Sequence, residues 1–193
     1  MNKEWSELNK LMQTQIKKKD TYDSGIGTLF SLRDNLWDMI ISFKDELSRE
    51  EFNAIPYINA EGYHSKTIAY SLWHIFRIKD IVAHTLIKGN EQEIADFSEQ
   101  LNMDELYTYL SDVKQGTESI LRDLSYEDLK RKIHVERKEQ LESLSVVSKD
   151  ESAIWLIDYW CNKDVRGLIQ MPFSRHWIMH IEACLRIKKK IHS

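Results

Sequence analysis

Two histidines four residues apart, His176 and His180, stand in the run Arg175-His-Trp-Ile-Met-His-Ile-Glu-Ala-Cys184. On a helix, four residues advance by about 400°, so the two side chains emerge within about 40° of each other and roughly 6 Å apart along the axis. Two imidazoles so placed can both reach one ion at about 2.0–2.1 Å. The pair alone says little: with seven histidines in the chain, chance supplies such a spacing in roughly one sequence in four. Two features raise its weight. The pair lies on an apolar segment, where adjacent buried imidazoles need partners. A third histidine, His74, sits mid-way along another long apolar segment, Leu72-Trp-His-Ile-Phe-Arg-Ile-Lys-Asp80.

Neighbours on the same helical faces include Tyr70, Ser71, Ile78, Phe173 and Ala183, which describe a mostly apolar pocket; Tyr70 and Phe173 are the candidate substrate contacts. Arg33 interrupts an apolar stripe between Leu29, Leu36 and Ile40. It reads equally as an interhelical ion-pair partner or as an interior cation for an anionic substrate group. Cys184, one turn past His180, is a potential soft ligand, although a buried cysteine is more often a small hydrophobe. Arg77 reads as a salt-bridge partner, His64 falls in a loop, and His84, His134 and His192 have no partner at ligand spacing. The chain has no glycine-rich phosphate loop, Cys-x-x-Cys pair or Gly-x-Ser-x-Gly elbow. Ser71, Phe173 and Trp177 stand three residues before the three histidines, so the Glu-x-x-His pairs of di-iron bundles are missing.

The elements that must carry these residues read as helices throughout. A short helix is expected over about Lys3 to Lys19, then a turn from Asp20 to Gly27 with Asp23 and Ser24 as caps. Leu29, Leu36, Ile40, Phe43 and Leu47 mark one long amphipathic helix. After a connection at Asn53 to His64, Ser65 can cap a helix from Lys66 to Lys88 that Gly89-Asn90 closes. That helix is apolar on two sides, which places it between neighbours. Asn102, with Glu105 answering from N3, heads a third long helix through Leu106, Leu110, Val113, Ile120 and Leu121. The charged stretch Ser125 to Val147 reads as short helices and loop. Ser148 and Glu151 form a further capping box, and Pro172 can start the last helix at its first position. The fold class expected is all-α: a four-helix bundle with accessory short helices, one domain over 1–193 with residues 1–23 as an N-terminal extension.

Composition agrees. The 193 residues carry 42% hydrophobic and 30% charged side chains with six glycines and two prolines, so long elements are favoured over many short strands. A net charge of −4 speaks against a nucleic-acid surface. The lysine runs 17–19 and 188–190 fall at helix ends, where they complement the dipole. Two cysteines suggest a reducing compartment. No signal peptide is read at the N-terminus, and the longest mid-chain charge-free stretch, Thr67 to Phe76, is far short of the roughly 20 residues a span requires. A cytoplasmic protein without membrane or nucleic-acid partners is the expectation.

One histidine in the second long helix and a His-x-x-x-His pair in the fourth is an arrangement that resembles the DinB/YfiT-like family of four-helix-bundle metalloenzymes, over about Ser24 to Ile191. The helix before Ser24 and the charged segment between the third and fourth helices depart from the family pattern. The resemblance implies a divalent ion, zinc or nickel first and iron or manganese next, held by His74, His176 and His180 with positions left open. It also implies a thiol-dependent transferase (bacillithiol or mycothiol type) or a related hydrolase acting on a small molecule, and a homodimer. The alternative is a non-catalytic metal-binding or stress-response module.

Overall fold

The computed structural model describes residues 2–89, 102–144 and 151–193, the side chains of 151–153 excepted. Among the described residues the chain is helical, with one isolated bridge between Lys132 and Asp164 and no strand.

Helix α1 (Lys3–Gln15) starts where the Asn2 side chain accepts the Trp5 N–H, and it buries Trp5 and Met12. A 3-10 turn, Lys19–Thr21, leads straight into α2 (Tyr22–Glu46). The turn expected over Asp20 to Gly27 is therefore mostly helix. The two glycines that suggested a turn serve different ends. A Cβ on Gly25 would lie 2.6 Å from Ile16 Cγ2 and 2.9 Å from the Ile16 nitrogen, so glycine there lets the end of α1 close onto α2. Around Gly27 there is nothing within 4 Å. Gly25→Ala is accordingly expected to destabilise by about 1–3 kcal/mol through overpacking. Gly27→Ala should stabilise by about 0.5–1 kcal/mol, since alanine costs less backbone entropy in a helix. Thermal melts of the two variants check the pair; a shift in the same direction for both would contradict the close approach.

Along α2 the buried stripe is Leu29, Leu32, Arg33, Leu36, Ile40 and Phe43. The short α3 (Arg49–Phe52) is headed by a capping box between Ser48 and Glu51. The chain then turns at Gly62, whose φ of 88° is accessible to glycine at little cost, into a 3-10 turn, Tyr63–Ser65. Helix α4 (Ile68–Asp80) is capped by Thr67, not by Ser65: the Thr67 hydroxyl accepts the Tyr70 N–H at 2.9 Å. It continues as a π-helical stretch, Ile81–Lys88, that ends on Gly89 in the left-handed region, φ 78°; Asn90 lies outside the described residues.

Helix α5 (Met103–Arg122) takes its cap from Asn102, which accepts the Asp104 N–H at 2.9 Å. The charged segment after it contains a 3-10 turn, Asp128–Lys130, and α6 (Val135–Ser143), as its composition suggested. Next comes α7 (Glu151–Cys161); the Ser148–Glu151 capping box lies outside the described residues. The last helical run does not begin at Pro172. It begins with α8 (Val165–Gln170), capped by Asp164 accepting the Gly167 N–H at 2.8 Å, and passes through a π-helical stretch, Met171–Arg175, into α9 (His176–Ile191). Proline has no N–H to give. The wider π turn takes it up within a continuing helix, so Pro172 marks a change of register and not a start.

Helix α4 packs against both α5 and α9, and α2 against α1 and α9. This explains the two apolar sides of α4. One buried cluster centres on Leu36, Phe43, Leu72, Phe76, Leu110, Trp177 and Ile181. A second, around Leu29, Ile81, Val82, Leu121, Ile169 and Phe173, fills the other end. Among the described residues no helix is long and apolar enough to cross a membrane.

Candidate metal centre

His74 projects from the middle of α4, and His176 and His180 from the first two turns of α9. Because α4 and α9 pack side by side, the three rings meet. Ring centres lie 5.3 Å apart for His74 and His176, 5.0 Å for His74 and His180, and 4.5 Å for His176 and His180. One donor nitrogen from each lies within 4.8 Å of the others, so the three could hold a metal ion. The π turn ahead of α9 contributes here: it adds a residue per turn and so sets the rotation of every side chain after it. Such irregularities recur at functional sites.

The rings are held by aromatic neighbours. Tyr70 stacks on His74 at 5.8 Å with planes 10° apart, and Tyr63 meets the His180 ring edge-on at 4.4 Å. His176 and His180 are buried, and His74 is half-buried. Burial lowers all three pKa values from the usual histidine range, to about 4 for His74, about 3 for His176 and about 2 for His180; mutual repulsion adds to the effect for the last two. The neutral form is the one that ligates a metal. Among the described residues, three buried nitrogens, His176 Nδ1 and both nitrogens of His180, have no hydrogen-bond partner. An unpartnered buried polar atom costs about 1–3 kcal/mol, and a bound ion relieves that cost at one nitrogen of each ring. The donor set and its orphaned nitrogens therefore fit a divalent ion of the imidazole-binding class.

The same depression makes the metal-free site acid-labile. An unfolded histidine takes up a proton near pH 6.5, while the folded rings resist protonation until about pH 4 or lower. Stability is thus lost as the pH falls from 6.5 towards those values. The metal-free protein is expected to melt progressively lower between pH 7 and pH 5, and His176→Gln, which has no proton to take up, to flatten that slope. A slope unchanged by the substitution would refute the neutral buried ring.

A cavity of about 340 Å³ opens beside the rings, with His74 and His176 in its wall. Helix α7 supplies Trp155, Leu156, Tyr159 and Trp160; Met171 and Pro172 come from the π turn, Ile78 from α4, and Tyr63 from the 3-10 turn. Of the neighbours expected from helical spacing, Ile78 lines it. Tyr70 backs His74 from outside the cavity. Phe173 is fully buried, with its ring centre 5.8 Å from the Arg33 guanidinium. Arg33 is fully buried too, and donates from Nη2 to Thr117 Oγ1 at 3.0 Å with Glu118 at 3.8 Å. It faces α5, not the cavity. Cys184 is fully buried, its thiol pushed up to about 12 by burial, and it is not among the clustered donors. Arg77 pairs with Asp80 at 3.2 Å.

Tyr63, Trp155, Tyr159, Trp160 and Met171 were not legible as site residues. The run Trp155-Leu-Ile-Asp-Tyr-Trp160 shows an aromatic helix face, but only the packing of α7 against the rest says what that face meets. Compared with family models, with curated proteins and with solved structures, the chain finds no match in any of the three.

Proposed function

We propose that this chain is a mononuclear metal-dependent enzyme of the DinB/YfiT-like type, in which α2, α4, α5 and α9 are the four long helices of the bundle and His74, His176 and His180 are the ligands. The observation that carries the reading is the convergence of three neutral imidazoles, with orphaned nitrogens, at the wall of a cavity. Three protein ligands leave room for a further group, the mark of catalytic rather than structural sites. A divalent ion there supplies Lewis acidity, and zinc or nickel suits the donor set best. The protein's own part is to hold the three rings neutral, to orient His74 through Tyr70 and His180 through Tyr63, and to present a mostly apolar pocket to the reacting molecule. A thiol-dependent transfer, with a low-molecular-weight thiol as co-substrate, is the reaction we assign.

The test is conjugation of common thiols with small electrophiles by the purified full chain, against His176→Ala. A loss of at least about a hundredfold is expected, in keeping with the several kcal/mol a Lewis acid contributes; equal rates would sink the reading. One observation favours a second reading, a non-catalytic metal-binding module. Among the described residues no carboxylate or lysine lines the cavity, so general acid–base groups are scarce. Nickel that raises the melting temperature while no thiol or small anion alters its visible spectrum would support that alternative.

A further inference from the structure

We propose that the cavity beside the histidines takes a small molecule with an uncharged, apolar body, aromatic or alkyl, seated between α7 and the Met171–Pro172 turn. The inference deepens the reading above and rests on it only for what the polar end of such a molecule meets at the histidine wall.

The cavity, at about 340 Å³, is within the about 300–1,000 Å³ range of small-molecule sites. Among the described residues its lining holds no charged side chain. Arg33 is engaged with Thr117 and Glu118 and Arg77 with Asp80, while the Lys163 ammonium lies over the Tyr159 ring, 4.1 Å from its centre, without joining the lining. A charged body entering here would shed its hydration without a compensating partner. An apolar body has the opposite balance, because three aromatic residues of the lining stand in water. Trp155 is 53% exposed, Tyr63 40% and Tyr159 37%. Large aromatics exposed together around a concave opening are uncommon on a surface without a binding role. Trp155 and Tyr159 also brace each other, edge to face at 5.7 Å, so the wall is formed before anything binds.

The experiment uses N-phenyl-1-naphthylamine, a neutral probe that brightens in apolar sites, bound to the full chain and displaced by straight-chain alcohols from butanol to octanol. Each added methylene should strengthen displacement by about three- to fourfold. Trp155→Ser should weaken the probe at least fivefold, and so should Tyr159→Ser; both positions are exposed enough to leave folding intact. A flat alcohol series, or probe binding indifferent to both substitutions, would overturn the proposal. Metal content measured on the same preparation keeps the two readings apart. Graded displacement without any metal would leave the apolar ligand standing and remove the metalloenzyme, and metal with a flat series would do the reverse.

Discussion

Zinc or nickel added to the metal-free protein is expected to raise its melting temperature by roughly 8–16 °C. A ligand at about a thousand times its dissociation constant stabilises the folded state by about 4 kcal/mol, and a domain of this size shifts about 2–4 °C per kcal/mol. His180→Leu should abolish that increment. The same substitution separates a ligand from a structural histidine. His180 is buried with both ring nitrogens unpartnered among the described residues, so in the metal-free protein it is a liability that leucine removes. Metal-free His180→Leu should therefore melt at or above the metal-free wild type, and below the wild type once metal is present. Such a reversal is the behaviour of a residue kept for function at a cost in stability. If the metal-free variant is instead weaker by more than about 2 kcal/mol, on the scale of lost core packing, the ring is a packing element and the ligand assignment fails. Elemental analysis of protein purified without a histidine tag, expected to give about one ion per chain for wild type and none for His74→Ala, complements the melts.

Replacing Lys79 by methionine is expected to stabilise the protein by about 1–3 kcal/mol at pH 7, because a buried polar group left without a partner costs that much and an apolar side chain of similar length does not. Lys79 has no exposed surface, and among the described residues its Nζ has no hydrogen-bond partner. The amine lies 3.3 Å from the centre of the Phe76 ring and 3.5 Å from that of Trp177. Burial, and then the nearby Arg33 charge, drive its pKa well below the ordinary lysine value. The unfolded chain holds that proton up to about pH 10.4, and the folded chain gives it up at lower pH. Stability contributed at this position is therefore lost as the pH falls below about 10.4, and is already missing at neutrality. Between pH 8 and pH 10 the wild type should gain on Lys79→Met as the pH rises, in chemical denaturation at each pH. Were the amine instead charged and held by the two rings, worth about 2 kcal/mol when desolvated, the methionine variant would be the weaker at pH 7. That result would reverse the assignment.

The neighbouring Arg33 shows the limit of reading charge from a stripe. Its place among Leu29, Leu36 and Ile40 marked it as interior, and it is fully buried. Which way it faces depended on α5, where Thr117 and Glu118 receive it; no spacing along α2 carries that information. Gly25 and Pro172 gave the opposite error. Both are residues that usually punctuate, and both lie inside helical runs, because a close approach to Ile16 and a π turn gave each a use that local propensity does not anticipate.

By itself the sequence determined that the chain is helical, since its apolar residues recur with helical period and almost nothing breaks them. It also determined that His176 and His180 share one face, a consequence of 3.6 residues per turn. The meeting of His74 with that pair needed α4 and α9 to lie side by side. The aromatic wall of the cavity needed α7 and the 3-10 turn at Tyr63 to come to the same place from far along the chain. Periodicity fixes which face of a helix is apolar, because that is a property of one segment. Only packing between segments decides which apolar faces meet and what room they leave.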